Sequence, residues 1–346
     1  FYIEGRDHLG YKANFLYPLI LKILTNFLNI FNFSNTSKVW NLCLISITSL
    51  LSIGSLILIK KSTYNFFGKR ASIFSSWLFI FCPYVYFFSL NGGQTMFIII
   101  AISYISFLIS ESELFDSKVV FISFKKTLSL ICLVSIYLSS MRPSMAILVI
   151  SLNFFLYIDF LIKRKSYNSK DLKFISIVLL LSTTYAFWQM SIAYSYIIHG
   201  YNVFLNEPGS FFGYEREVIK EVLSKDITLI RSIKNDLYYL LWKVSDFVSG
   251  ISDIRNTFTE YNVEKDNFLL FPFFARVAVG LFYIYPFNIL WILGTIHFRK
   301  RIFHAGLYTL LIPSIISLLP SLVGVARSRY LMMISPILFI IAGAIL

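Results

Sequence analysis

The sequence predicts an all-α polytopic bundle of transmembrane helices, and three observations predict it. Hydrophobic residues make up 57% of the 346, with 36 Phe and 22 Tyr among them. Only 14% are charged, against roughly 25% in a soluble domain. The mean hydropathy of +0.71 is concentrated in long apolar runs, many near the roughly 20 residues that cross a hydrocarbon core. A soluble enzyme, a disordered chain and a disulfide-stapled secreted module are thereby excluded.

Taken in order, residues 1–37 read as a first external loop with a juxtamembrane helix. Within it, 14–32 is apolar but holds Lys22 and Asn26, and ends on the polar patch Asn32 to Lys38. Such a run suits a helix lying in the outer interface; a span here would invert every later loop. Apolar runs follow at 38–59, 71–89 and 95–110. The run 127–162 is too long for one span and contains Met141-Arg142-Pro143. Proline has no backbone donor and clashes with the preceding turn, so a pair of helices is predicted, 127–141 and 144–162. Runs at 174–198, 268–294, 303–324 and 330–346 bring the total to about nine spans. The membrane bundle 38–198 and the closing spans 268–346 thus flank one long polar stretch, 199–267. That stretch holds 11 of the 18 acidic residues against 8 basic ones. Apolar side chains recur there at helical spacing from Glu215 to Val248, which predicts a small helical subdomain outside the membrane.

Orientation follows from the short loops. Lys60, Lys61, Lys69 and Arg70 flank one turn, and Lys163, Arg164, Lys165, Lys170 and Lys173 a second. Arg299, Lys300 and Arg301 fill a third, and Lys118, Lys125 and Lys126 share a fourth with three acids. These turns hold fifteen of the 31 basic residues, and alternation puts all of them on one side, which the positive-inside rule makes cytoplasmic. The net charge of +13 therefore reflects topology, and a nucleic-acid partner is not expected. Cys43, Cys82 and Cys132 sit in apolar runs without CxxC spacing, as small buried or lipid-facing residues do. The chain opens on Phe1 and stops inside an apolar run at Leu346. It therefore reads as an internal piece of a longer protein.

No Walker sequence, GxGxxG or nucleophile elbow is present, and His8, His199, His297 and His304 lack metal-ligand spacing. The chemistry is sought instead in charges near the membrane on the outer side, where they are costly and often functional. Asp7, in Gly5-Arg6-Asp7-His8-Leu9-Gly10-Tyr11, precedes the interfacial helix and is a candidate general base, with Glu4 a weaker second carboxylate. Arg142 sits at the proline break, Arg276 in the outer part of 268–294, and Arg327 and Arg329 ahead of the last span. The guanidinium forks of Arg276, Arg327 and Arg329 suit phosphate oxygens, although a juxtamembrane arginine also snorkels to lipid headgroups without further purpose; Arg142, with Glu4, is a candidate for a substrate groove. His8, Tyr11, Tyr17 and Gln94, with Tyr84 and Tyr86, line the same side and could form a substrate groove or an interfacial aromatic belt. Asp159 lies near the cytoplasmic Lys-Arg-Lys cluster, where an ion pair is expected.

These residues carry a resemblance. Asp7-His8-Leu9-Gly10-Tyr11, followed by Asn14-Phe15-Leu16-Tyr17-Pro18-Leu19, is similar to the first external loop of the GT-C superfamily of integral membrane glycosyltransferases. That superfamily includes protein mannosyltransferases and aminoarabinose transferases. Ser139-Ser140-Met141-Arg142-Pro143-Ser144 resembles its Arg-Pro-Thr-type break between two short helices. Ala326-Arg327-Ser328-Arg329-Tyr330, then Ile334-Ser335-Pro336, resembles its arginine-aromatic signature before a late span. The resemblance implies transfer of a sugar from a polyprenyl-phosphate donor to a lipid, glycan or protein acceptor, cell-envelope polysaccharide included. The transfer would occur on the outer face of a plasma or inner membrane. It implies Asp7 as the catalytic base and Arg329, Arg327 and Arg276 as the holders of the leaving phosphate. His8 stands where many members have a second acid, and Gln94-Thr95 where many have Glu or Asp, so dependence on a divalent metal stays open. Acceptor choice is expected in 199–267. A polysaccharide polymerase or O-antigen ligase, and a lipid-linked oligosaccharide flippase, are the competing readings. The first would place essential arginine and histidine residues in the large loop without needing Asp7. The second would show two related halves with paired broken helices.

Overall fold

The computed structural model describes residues 16–30, 37–90, 94–111, 121–163, 169–204, 280–318 and 328–346. All the secondary structure among them is helical. In order these are α1 (Leu16–Ile30), α2 (Ser37–Phe67), α3 (Lys69–Ile80), α4 (Pro83–Leu90), α5 (Thr95–Glu111), α6 (Phe121–Met141), α7 (Pro143–Lys163) and α8 (Ser169–Phe204). After a π-helical turn at Gly280–Ile284 come α9 (Tyr285–His297), α10 (Arg299–His304), α11 (Tyr308–Ile316) and α12 (Ser328–Ile345).

Three of these segments are long and apolar enough to cross a bilayer: Val39–Phe67, Met145–Ile162 and Asp171–Ser191. The bent pair α3–α4 makes a fourth if it is counted as one span. The chain is therefore built as a membrane protein, while the expected nine spans reduce to three or four among the described residues. Thr95–Glu111 and Leu331–Ile345 are shorter apolar helices. The segments 199–267 and 268–294 lie outside the described residues up to Gly280, except that α8 continues without a break to Phe204.

The bundle is apolar outside and rich in small polar groups inside, the inverse of a soluble core. On α8, Ile177, Leu180, Leu181, Phe187 and Trp188 face outward, as do Leu42, Leu50, Ile53 and Ile57 on α2. Inward-facing Ser55, Thr63, Ser103 and Ser106 return their hydroxyls to carbonyls four residues back, so these small residues line helix contacts with their own hydroxyls satisfied. Asn153 of α7 bridges to Ser182 and Thr183 of α8 at 2.7 and 2.9 Å. The most enclosed helix is α12, buried from Leu331 to Gly343 and packed against α2, α3, α5, α9 and α11. Its approach is close: a Cβ on Gly343 would stand 2.7 Å from the Ser75 backbone nitrogen, and one on Gly294 would stand 2.7 Å from the Ile341 carbonyl oxygen.

Two sequence expectations are corrected here. The predicted span 71–89 is not one rod but bends by 58° between α3 and α4. Proline is tolerated as the first residue of a helix, and Pro83 starts α4. The Cys82 N–H turns to the Phe79 carbonyl at 3.3 Å instead of to Leu78, and the Tyr283 hydroxyl donates to the Leu78 carbonyl so released. The predicted span 303–324 is also interrupted, since α10 ends at His304 and Gly306, at φ 72°, turns the chain into α11.

The basic turns gather at one end. Lys61 lies over the Phe107 ring at 5.7 Å, Lys125 over Phe174 at 5.4 Å and Arg301 over Phe67 at 5.4 Å. These contacts join the ends of α2 and α5, the starts of α6 and α8, and the start of α10. At the same end Asp159, fully buried on α7, accepts a hydrogen bond from the Tyr308 hydroxyl at 2.5 Å.

Candidate functional site

The opposite end holds whatever part of the candidate site the described residues include. Here α1, α5, α7 and α12 begin and α6 finishes. Tyr17 packs edge-on against Phe97 at 5.9 Å, which seats the start of α1 beside the first turn of α5 and hence beside the half-buried Gln94. Burial pushes the Tyr17 phenol above its usual range. The Tyr137 hydroxyl, one turn before the α6–α7 break, donates to the Phe97 carbonyl at 3.4 Å.

Arg142 is the corner itself. Its N–H reaches back to the Leu138 carbonyl at 3.2 Å, and its own carbonyl accepts from Met145 at 2.9 Å. Pro143 opens α7 without needing a donor, so the break predicted from Arg142-Pro143 falls where expected. The half-buried guanidinium donates through Nη1 to the Met333 Sδ on α12 at 3.6 Å, across 191 residues of sequence. Met333 stands four residues after Arg329 in the sequence of α12. Two of the stretches singled out in the sequence, the Arg-Pro break and the opening of the last helix, therefore meet.

Sequence reasoning missed a polar group beside that corner. The Ser140 and Tyr185 hydroxyls stand 2.5 Å apart, and the Gln189 Nε2 donates to the Tyr185 hydroxyl at 3.1 Å. Gln189 is fully buried, and its Oε1 has no partner among the described residues. The four-residue spacing of Tyr185 and Gln189 on an apolar helix was the available signal.

The remaining candidates lie elsewhere. Asp7, Glu4, His8, Tyr11, Arg276 and Arg327 are outside the described residues, and Arg329 is described only as a position in α12. Tyr84 does not join the Arg142 corner. It lines a cavity of about 20 Å³ at the α3–α4 bend, with Cys82, Tyr283, Phe287 and Ser335. That volume admits one water at most and no sugar. Among the described residues no three His, Cys, Asp or Glu side chains cluster as metal ligands would.

Comparison with family models, with curated proteins and with solved structures finds no match to this chain.

Proposed function

We propose that this chain is a GT-C-like membrane glycosyltransferase that moves a sugar from a polyprenyl-phosphate carrier to a lipid, glycan or protein acceptor. The observation that carries the proposal is the contact between Arg142 and Met333. It joins the Arg-Pro break to the arginine-bearing helix at the end away from the basic turns. With those turns cytoplasmic, that end faces outward, where a lipid-linked donor presents its sugar. Helix α1 fits the same picture. It packs Tyr17, Ile20 and Leu28 inward, exposes Leu19, Ile23, Phe27 and Ile30 on a second face, and Lys22, Asn26 and Asn29 on a third. An apolar face beside a polar one is what a helix lying in the interface needs.

In the proposed reaction the Asp7 carboxylate takes the proton of an acceptor hydroxyl as that oxygen attacks the anomeric carbon. The bond from that carbon to the carrier's phosphate oxygen breaks, and the polyprenyl phosphate departs with the electron pair. Arg329, with Arg327 and Arg276, stabilises the charge that collects on the phosphate. The segment 199–267 is left to select the acceptor.

Membrane vesicles carrying the protein separate this chemistry from its rivals. Radiolabelled sugar is expected to pass to acceptor from a polyprenyl-phosphate donor and not from a nucleotide sugar. Transfer from the nucleotide donor alone, or movement of the lipid-linked sugar across the bilayer without transfer, would refute the proposal.

A further inference from the structure

We propose that the α2–α3 corner and the α9–α10 junction together bind one anionic phospholipid, whose phosphate meets Lys69, Arg70, Arg299, Lys300 and Arg301. This end carries the basic turns, and the site lies apart from the residues of sugar transfer.

Aromatic contacts bring the two segments together. Phe67, the last residue of α2, meets Phe298 edge-on at 5.5 Å, and the Arg301 guanidinium lies over the Phe67 ring at 5.4 Å. Gly68, at φ 93°, then turns the chain into α3, a backbone conformation that costs a glycine little. Its N–H reaches the Tyr64 carbonyl at 2.8 Å and its carbonyl accepts from Ser72 at 3.1 Å, so Lys69 and Arg70 leave from a fixed corner. Phe298 joins α9 to α10 in the same way. Its N–H donates to the Gly294 carbonyl and its carbonyl accepts from Ile302, both at 2.9 Å.

All five cations are exposed. No carboxylate is available within either segment, since residues 38–110 and 267–346 contain no Asp or Glu. Among the described residues none of the five makes an ion pair. The acids described at this end are placed elsewhere. Asp159 is bound to Tyr308, Asp171 is buried at the start of α8, and Glu111 closes α5, whose Phe107 lies under Lys61. Like charges gathered without an acid repel one another, and a bound anion relieves that repulsion. A zwitterionic headgroup would bring its own ammonium to the same cations.

The surroundings favour a lipid over a soluble phosphate. On α3, Ile73 and Trp77 follow Lys69 at four-residue spacing and are 43% and 59% exposed. On α9, Ile296 and Ile292 precede Lys300 at the same spacing and are 62% and 39% exposed. Residues four apart share a helix face, so each row begins in a cation and continues in bare apolar side chains. A phospholipid has that order, phosphate at the interface and hydrocarbon beneath it.

Competition between dioleoylphosphatidylglycerol and dioleoylphosphatidylcholine for the full chain in detergent tests the site. The wild type is expected to prefer the phosphatidylglycerol by ~10-fold or more, since each basic side chain near the headgroups adds attraction. Lys69→Gln with Arg70→Gln, and separately Arg299→Gln with Lys300→Gln, should each lower that preference by ~10-fold. Lys126→Gln with Lys173→Gln removes two exposed cations at the same end, on α6 and α8, and should leave the preference unchanged. Thermal stability in lipid-free detergent is expected to stay at the wild-type value throughout, because every substituted side chain is exposed. Equal binding of the two lipids by the wild type, or a preference that survives either cluster pair, would overturn the site. An equal loss in the Lys126 and Lys173 pair would replace it with diffuse attraction. Displacement of the lipid by inorganic phosphate at equal concentration would overturn the lipid in favour of a soluble anion. None of these outcomes bears on sugar transfer.

Discussion

Asp7→Asn is expected to lower turnover by a factor of ~10²–10⁴, the range that a positioned general base supplies, while the KM for the donor moves little. The substitution keeps size and hydrogen-bonding shape but removes the capacity to accept a proton. The acceptor hydroxyl must lose its proton as it attacks, and the transition state forms without help when only an amide is present. In the proposed reaction donor binding falls to the arginines and the isoprenoid chain, so a selective fall in kcat would be the signature of a base. Assay of membranes matched for protein content measures it. A parallel rise in KM would assign Asp7 to binding instead, and equal turnover would remove it from the site.

The largest effect on stability is expected at Gly343. A Cβ there would meet the Ser75 backbone nitrogen and Cβ at 2.7 Å and its Cα at 2.8 Å. Backbone cannot rotate aside, so Gly343→Ala must push α12 away from α3, and overpacking of this kind costs about 1–3 kcal/mol. Gly54 supplies the contrast. Its new Cβ would meet only the Ile100 Cδ1 at 2.7 Å, the far end of a flexible side chain. Alanine also favours a helix over glycine by about 0.5–1 kcal/mol, so Gly54→Ala is expected to be near neutral. Thermal denaturation in detergent should therefore rank Gly343→Ala well below Gly54→Ala. The reverse order would show that α3 and α12 do not pack at the described distance.

Much of the architecture is legible in the residues themselves. The Arg142-Pro143 break falls between Met141 and Pro143 because a proline without a donor can begin a helix but not continue one. The gathering of the basic turns at one end was readable from charge alone. Other features were not. Helix α2 runs on through Lys60 and Lys61 to Phe67, since lysine is a good helix former and its long stem lets a helix outlast its apolar run. The bend between α3 and α4 depends on Tyr283 capping a carbonyl more than 200 residues away, a partnership that hydropathy does not encode. Nor does hydropathy separate α12, enclosed on all sides, from α8, whose outer face is exposed, because lipid is as apolar as a leucine-lined interior.

For the site, the sequence singled out Arg142, and only the fold shows that its guanidinium meets Met333 on the last helix. Ser140, Tyr185 and Gln189 escaped notice because single uncharged polar residues in apolar runs usually face other helices for packing. Here they form a connected group next to the Arg142 corner.

In the proposed reaction Asp7 and Arg329 act on the same sugar phosphate, so their separation tests the proposed site most directly. Spin labels at Asp7→Cys and Arg329→Cys, in a chain whose Cys43, Cys82 and Cys132 are replaced by serine, report that distance. An Arg142→Cys and Arg329→Cys pair serves as the short reference. Groups flanking one reacting bond must be held near contact distance, so a separation below about 20 Å is expected once label length is included. A distance clearly beyond that, with the reference pair still short, would contradict a shared outer-face site.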